Sequence, residues 1–331
     1  MNLEKWNEYH QNQTERDVSK LLHLFDEVLK MVVMYYGLQT IKEEFFSFTL
    51  YPVLNNKVKS LFKKFNNVFS QKMNYCIDKH YQLSKDKFKD VFTNIHHSQK
   101  GEDTLQSLVM KEKKRMLSGR VWNLTQQYRT EIEMALDVAI HEGTPANQLT
   151  SVLKKYLQNP DTLFRKYRDK NGILQLSQKA KEYRSGQGVY RSAYKNAERL
   201  ARTEINIAYR TADIERWQSM DMIVGYEIKR SKHPHGCEIC DMMKGIYPKS
   251  FVWVGNHPNC RCYMTPVFKK DIAGKEITIN NKLTEWISDN EKRITNAKGI
   301  PMFLWGIDNQ SKGVSQKVIQ AIQFFSKKKL P

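Results

Sequence analysis

The sequence lacks any apolar run near the roughly 20 residues that a membrane-spanning helix needs. Its longest candidate, residues 31–36, reads MVVMYY and is far too short. No membrane partner is therefore expected. The first residues, MNLEKWNEYHQNQTERD, lack a basic segment followed by an apolar one, so no secretory leader is expected either. Acidic residues are in deficit: 35 Asp and Glu face 54 Lys and Arg, a formal charge of +19. That balance suits nucleic acid, an anionic surface or an acidic protein as partner, or simply a solvated lysine-rich surface. The charge is spread along the chain and singles out no one segment. Residues 185–188 (SGQG) lack the following Lys-Ser or Lys-Thr of a phosphate-cradling loop.

Cysteine is scarce as well, and four of the five fall within residues 237–262. They read Cys237-Glu-Ile-Cys240, a sixteen-residue spacer, then His257-Pro-Asn-Cys260-Arg-Cys262. Two close pairs of soft ligands joined by a loop are what tetrahedral zinc requires. The candidate ligands are Cys237, Cys240, His257, Cys260 and Cys262, one more than a four-coordinate site uses. A redox pair at Cys237 and Cys240 would need a preceding βαβ unit, and none is visible. Disulfides would need an oxidising compartment.

The fold class read from periodicity is mainly α, with a small zinc-bearing α+β unit. Val18, Leu21, Leu22, Phe25, Val28, Leu29 and Val32 form one helical stripe, which Gly37 ends. A second helix carries Val58, Leu61, Phe62, Phe65, Val68, Phe69, Met73, Cys76 and Ile77 on one face, with Lys57, Lys59, Lys63, Lys64 and Lys72 on the others. The lysines are either solvated surface or a phosphate track. A third helix covers 105–141 and ends at Gly143. A fourth is expected to start with Thr144 as N-cap and Pro145 at its first helical position. Residues 164–177 suggest a hairpin around Asn171-Gly172. His96 and His97 fall in a loop. A long helix over 189–220 presents Ala193, Ala197, Leu200, Ala201, Ala208 and Ala212 on one face, with Glu204 expected on that same buried face. A carboxylate there needs a partner; an acid–base role is the alternative. Arg202 and Glu204 are the candidate structural polar residues of this helix, and no catalytic residue is assigned. Residues 222–229 and 262–268 read as two strands of the zinc unit, docked on the alanine-rich helix. The tail suggests helices over 283–296 and 314–325. Between them 300–305 is either core or a docking strip, and Lys327, Lys328 and Lys329 form a basic end. The organisation read from this pass is a helical region over 1–104, a core over 105–268 with the zinc unit at 222–268, and a helical tail over 269–331.

The combination of Ala201-Arg-Thr-Glu204 on a helix, a glycine-containing strand, Cys-x-x-Cys and His-Pro-Asn-Cys-Arg-Cys resembles the phage head morphogenesis family, the Mu F-type minor head proteins. The resemblance covers about 110–268. Trp122, Phe164-Arg-Lys-Tyr-Arg and Tyr190-Arg-Ser are similar to versions found in Bacteroidetes phages or prophages. What the resemblance implies is a minor capsid protein that meets the portal protein and other head proteins during assembly. It would act in the host cytoplasm and then in the head interior, with packaged DNA within reach. Only about sixty residues follow Phe268, too few for the toxin or enzyme domain that some members carry. Two other classes compete: a zinc-dependent nuclease, with His233 and His235 the only nearby bases, and a DNA-binding module outside any virion.

Overall fold

The computed structural model describes residues 2–37, 46–92, 102–159, 167–168, 170, 174–175, 192–231, 236–274 and 276–327. His96, His97, the 185–188 glycines, Asn171-Gly172, His233, His235, Lys328 and Lys329 lie outside them. The elements in chain order are α1 (Leu3–Gly37), a 3₁₀ turn (Phe48–Leu50), α2 (Pro52–Val91), α3 (Glu102–His141) and α4 (Ala146–Gln158). Then come β1 (Tyr167–Arg168), β2 (Leu174–Gln175), α5 (Ala193–Gln218), β3 (Ile223–Lys229), α6 (Glu238–Met242), β4 (Gly245–Pro248) and β5 (Tyr263–Phe268). The tail holds α7 (Asn281–Asp289), α8 (Glu291–Thr295), a 3₁₀ turn (Met302–Leu304) and α9 (Gln316–Lys327). No helix among the described residues is long and apolar enough to cross a membrane.

By contact the chain forms two compact units, each discontinuous. One comprises Met1–Glu15, Tyr75–Lys113 and Arg202–Pro331; the other comprises Arg16–Asn74 and Lys114–Ala201.

The second unit is helical wherever its apolar stripes are regular. Leu21, Phe25, Leu29 and Val32 of α1 are buried, as are Val58, Phe65 and Phe69 of α2, Val121, Tyr128, Ile132 and Leu136 of α3, and Leu149, Leu153 and Leu157 of α4. Phe25 meets Phe65 at 4.9 Å, Phe69 at 5.5 Å and Tyr128 at 4.6 Å between ring centroids. Within this core the Tyr128 hydroxyl donates to the Phe25 carbonyl at 2.7 Å. The Ala193 N–H, at the open start of α5, reaches both Glu131 carboxylate oxygens at 3.0 Å, where a negative charge suits the helix dipole. The short β1–β2 pair is antiparallel, with Tyr167 opposite Gln175, as the hairpin reading requires.

One expected cap is corrected. Pro145, at φ −60° and ψ 142°, is itself the N-cap of α4, and no side chain caps that helix. Thr144 lies one residue before the cap and belongs to the end of the preceding helix, where its N–H donates to the Ala139 carbonyl at 2.9 Å.

The first unit is built on a three-stranded antiparallel sheet in the order β4-β3-β5. The two strands expected from sequence are both there, but β4 is a third, pairing Tyr226 with Tyr247 and Glu227 with Ile246. Its four residues carry no alternation long enough to announce a strand. The close β3–β4 approach fixes Gly225, where a Cβ would lie 2.3 Å from the Tyr247 carbonyl oxygen. The apolar core joins this sheet to Trp217 of α5 and to the tail: Leu283, Ile287, Ile294, Phe303, Leu304, Val318 and Ile322. Segment 300–305 is thus core, with Trp305 packed at its edge. The helix expected over 283–296 breaks at Asn290 into α7 and α8. A buried ion pair also sits in this unit. Lys87 donates to Asp213 at 2.5 Å, Ser84 donates to the other carboxylate oxygen at 2.6 Å, and the Lys87 ammonium lies 4.4 Å from the Tyr209 ring centroid.

Candidate metal centre

Cys237 is the N-cap of α6, and Cys240 lies one helical turn further on, so both thiols face one point. The second ligand group sits on a knuckle between residue 255 and β5. Two unusual backbone angles shape it: Gly255 at φ +141° and Asn259 at φ +69°. Asparagine is among the few residues that accept the left-handed region, and here its N–H also donates to Thr203 Oγ at 2.9 Å.

All five candidate ligands converge. The ligand atoms of Cys237, Cys240 and His257 lie within 4.8 Å of one another, and so do those of Cys240, Cys260 and Cys262. Cys240 belongs to both triplets. Cys240, Cys260 and Cys262 are buried, and Cys237 is half-buried. His257 Nε2 is 3.3 Å from Cys237 Sγ and 3.2 Å from Cys240 Sγ. A tetrahedral metal with ordinary bond lengths holds S and N about 3.5 Å apart, so these atoms need to move by only a few tenths of an ångström. His257 Nδ1 is 2.8 Å from the Pro258 carbonyl. A carbonyl only accepts, so Nδ1 carries the proton and Nε2 presents its lone pair to the thiols. The cluster can hold a metal ion.

Protonation follows the same logic. Cys260 is held well below the usual thiol range by hydrogen bonds from Cys240 and Cys262, with the nearby Arg210 guanidinium adding to the effect. Cys240 is pushed up chiefly by its hydrogen bond to Cys260, and Cys262 by its hydrogen bond with Cys240. The three thiols are thus linked by mutual hydrogen bonds, and a metal ion, which takes thiolates as ligands, would release protons on binding. Asn256 adds a buried amide donor without an oxygen partner. It lies against Cys240 and favours the thiolate there.

The knuckle is clamped by a polar stripe on α5 at one-turn spacing: Arg202, Asn206 and Arg210. Asn206 Nδ2 donates to the Cys260 carbonyl at 3.0 Å. Arg210 donates to the carbonyls of Val254 at 2.8 Å, Cys260 at 2.8 Å and Cys262 at 2.7 Å. Its guanidinium also stands 4.8 Å from the Trp253 ring centroid. Arg202 grips the Glu15 carboxylate with two nitrogens, at 3.1 and 2.8 Å, and donates to Asn259 Oδ1 at 2.6 Å. Arg261 joins Glu15 at 3.0 Å, and Gln11 donates to the Arg261 carbonyl at 3.1 Å.

Of the two polar residues expected on this helix, Arg202 is buried and part of this network. Glu204 is only half-buried, which corrects its expected place on the buried alanine face. That face is lined by Ala201, Ile205, Ala208 and Ala212, and residue 204 lies at its margin. The knuckle is held to α5 by these polar donors and by the apolar contact of Ile207 with Val254. Sequence reasoning missed Asn206 and Arg210, although the i, i+4, i+8 recurrence of polar residues from Arg202 was a visible signal. No family model, curated protein or solved structure matches the chain.

Proposed function

We propose that this chain is a phage minor head protein whose knuckle is closed by a structural zinc ion. The observation that carries the reading is the junction of the two motifs on which the resemblance rests. The Arg202-Thr203 step of the helix and the Asn259–Cys262 stretch of the knuckle are bonded directly through Arg202–Asn259, Thr203–Asn259 and Asn206–Cys260. Residues far apart in sequence thereby form one clamp.

Zinc fits the donor set because it takes thiolate and imidazole without geometric demands of its own. Cys237, Cys240 and His257 would supply three ligands, and Cys260 or Cys262 the fourth. With four protein ligands the site is closed, and its work is to fold the knuckle. No position is left for an activated water. The portal protein and other head proteins are the partners this reading names, in the host cytoplasm first and the head interior afterwards.

Co-expression with the portal protein of the same genome tests it. The expected result is co-sedimentation at fixed stoichiometry, with one zinc per chain by elemental analysis. Mature heads that contain no copy of this chain, from a genome that encodes it, would overturn the proposal.

A further inference from the structure

The buried pair of Lys87 and Asp213 lies outside the metal centre. The two residues stand 126 positions apart in sequence, on α2 and α5, and both belong to the first unit. Lys87 is 2% exposed and Asp213 3%. Lys87 Nζ is 2.5 Å from Asp213 Oδ2, and Ser84 donates to Oδ1 at 2.6 Å. Ser84 precedes Lys87 by one helical turn, so both reach the carboxyl group from one face of α2. The rings of Tyr209 and Trp217 stand 4.4 and 5.8 Å from Nζ and wall the site. Beside Asp213 is a cavity of about 10 Å³, lined also by Asn7, His10 and Tyr209, about the room of one water molecule. Asn7 is buried, and its Nδ2 has no acceptor among the described residues.

We infer that Lys87 and Asp213 condense to an isopeptide bond, an amide between Nζ and Cγ that ties α2 to α5 covalently. The step needs no co-reactant. A proton passes from Nζ to Oδ2 along the existing hydrogen bond, leaving an amine beside a carboxylic acid. The amine lone pair attacks Cγ, and the Ser84 hydroxyl stabilises the negative charge that gathers on Oδ1. The Cγ–Oδ2 bond then breaks, and Oδ2 departs as water with a second proton from Nζ. One ammonium and one carboxylate become one neutral amide and one water.

Three observations favour the amide over a lasting ion pair. The first is proximity: amine and carboxyl are held together by the fold, so no bimolecular encounter is needed. The second is burial. Two ions out of water carry a desolvation penalty that their attraction often fails to offset, and the amide removes both charges. Burial, opposed by Asp213 and helped by the Arg216 charge, already lowers the Lys87 pKa toward the neutral amine. The third is the cavity, which receives the leaving water within reach of the Asn7 amide. The inference does not depend on the head-protein reading.

Intact mass spectrometry of the full chain, denatured, reduced and stripped of metal, tests it. The expected mass is that of the purified chain less one water. A protease digest should yield one branched species that joins the Lys87 and Asp213 peptides. K87M should keep the full mass of its sequence. S84A should close roughly 100-fold more slowly, so that open chains persist at times when the parent is closed. Parent protein that keeps its full mass after days in the folded state would overturn the inference, whether or not the variants fold. So would a lost water that persists in K87M or maps to a peptide without Lys87, the mark of a succinimide elsewhere.

Discussion

Replacing Arg210 with leucine removes the group that ties three knuckle carbonyls to α5. Arg210 is buried, and its donors reach Val254, Cys260 and Cys262 at 2.7–2.8 Å. A hydrogen bond from a charged donor contributes about 1.5–3 kcal/mol, and a buried carbonyl left unpaired costs about 1–3 kcal/mol. Stacking on Trp253 adds about 1 kcal/mol. Leucine recovers some apolar packing, and the three bonds act as a unit, so the net loss should be about 4 kcal/mol rather than their sum. Metal affinity should fall as well. Arg210 favours the Cys260 thiolate, and groups that orient ligands are worth about 10–100-fold in metal binding. Competition with a chelator of known affinity measures the second effect, and urea unfolding of the metal-loaded protein, followed by tryptophan fluorescence, measures the first. R210K, with one ammonium for three acceptors, should fall between. An R210L protein that holds metal within threefold of the parent and unfolds within about 1 kcal/mol of it would refute the clamp.

Other perturbations reach different parts of the same unit. Gly225→Ala should destabilise β4 pairing by more than about 2 kcal/mol, since the new methyl would meet the Tyr247 carbonyl oxygen at 2.3 Å; thermal melting reads this directly. Asp213→Ala leaves Lys87 charged and buried and should cost about 3–5 kcal/mol. The double variant K87M/D213A should recover most of it in a double-mutant cycle, and additive losses would contradict the pairing. Burial, then the charges of His80, Arg210 and Lys87, hold His10 well below its ordinary range. A base depressed in the folded state contributes stability that is complete above about pH 6.5 and lost as pH falls toward the folded value. His10→Phe, which keeps the stack on Tyr209 (3.6 Å), should flatten the stability loss between pH 6.5 and 5 by up to about 1.4 kcal/mol per pH unit. Parent and variant are compared at each pH, so metal release common to both cancels.

The stripes of α1 and α2 were legible because a helix that buries one face must repeat its apolar residues at helical spacing, and Val18 through Val32 do so without interruption. The metal cluster was legible because ligand pairs must lie close in sequence for a tight turn to aim them. Strands β3 and β5 showed as apolar runs bounded by turns. What periodicity cannot report is which surface each face covers. Arg202, Asn206 and Arg210 look like ordinary polar residues on a helix until the carbonyls of residues 254–262 are set beside them. Lys87 reads as surface because lysine is almost never buried unless paired, and its partner Asp213 lies 126 residues away. Glu204 was placed by spacing alone, and one residue of rotation moved it from the buried face to the margin.

The bond from Gln11 to Arg261 bridges 250 residues, and that from Arg202 to Glu15 bridges 187. Chains emerge from ribosomes at about 5–20 residues per second, so the first turns of α1 wait roughly 12–50 s for the partners that hold them. Over that interval the apolar side of the nascent N-terminal helix has no knuckle to close against. A metal ion could act there only after residues 237–262 have left the exit tunnel. Its binding would then join two stretches of the first unit that are far apart in sequence.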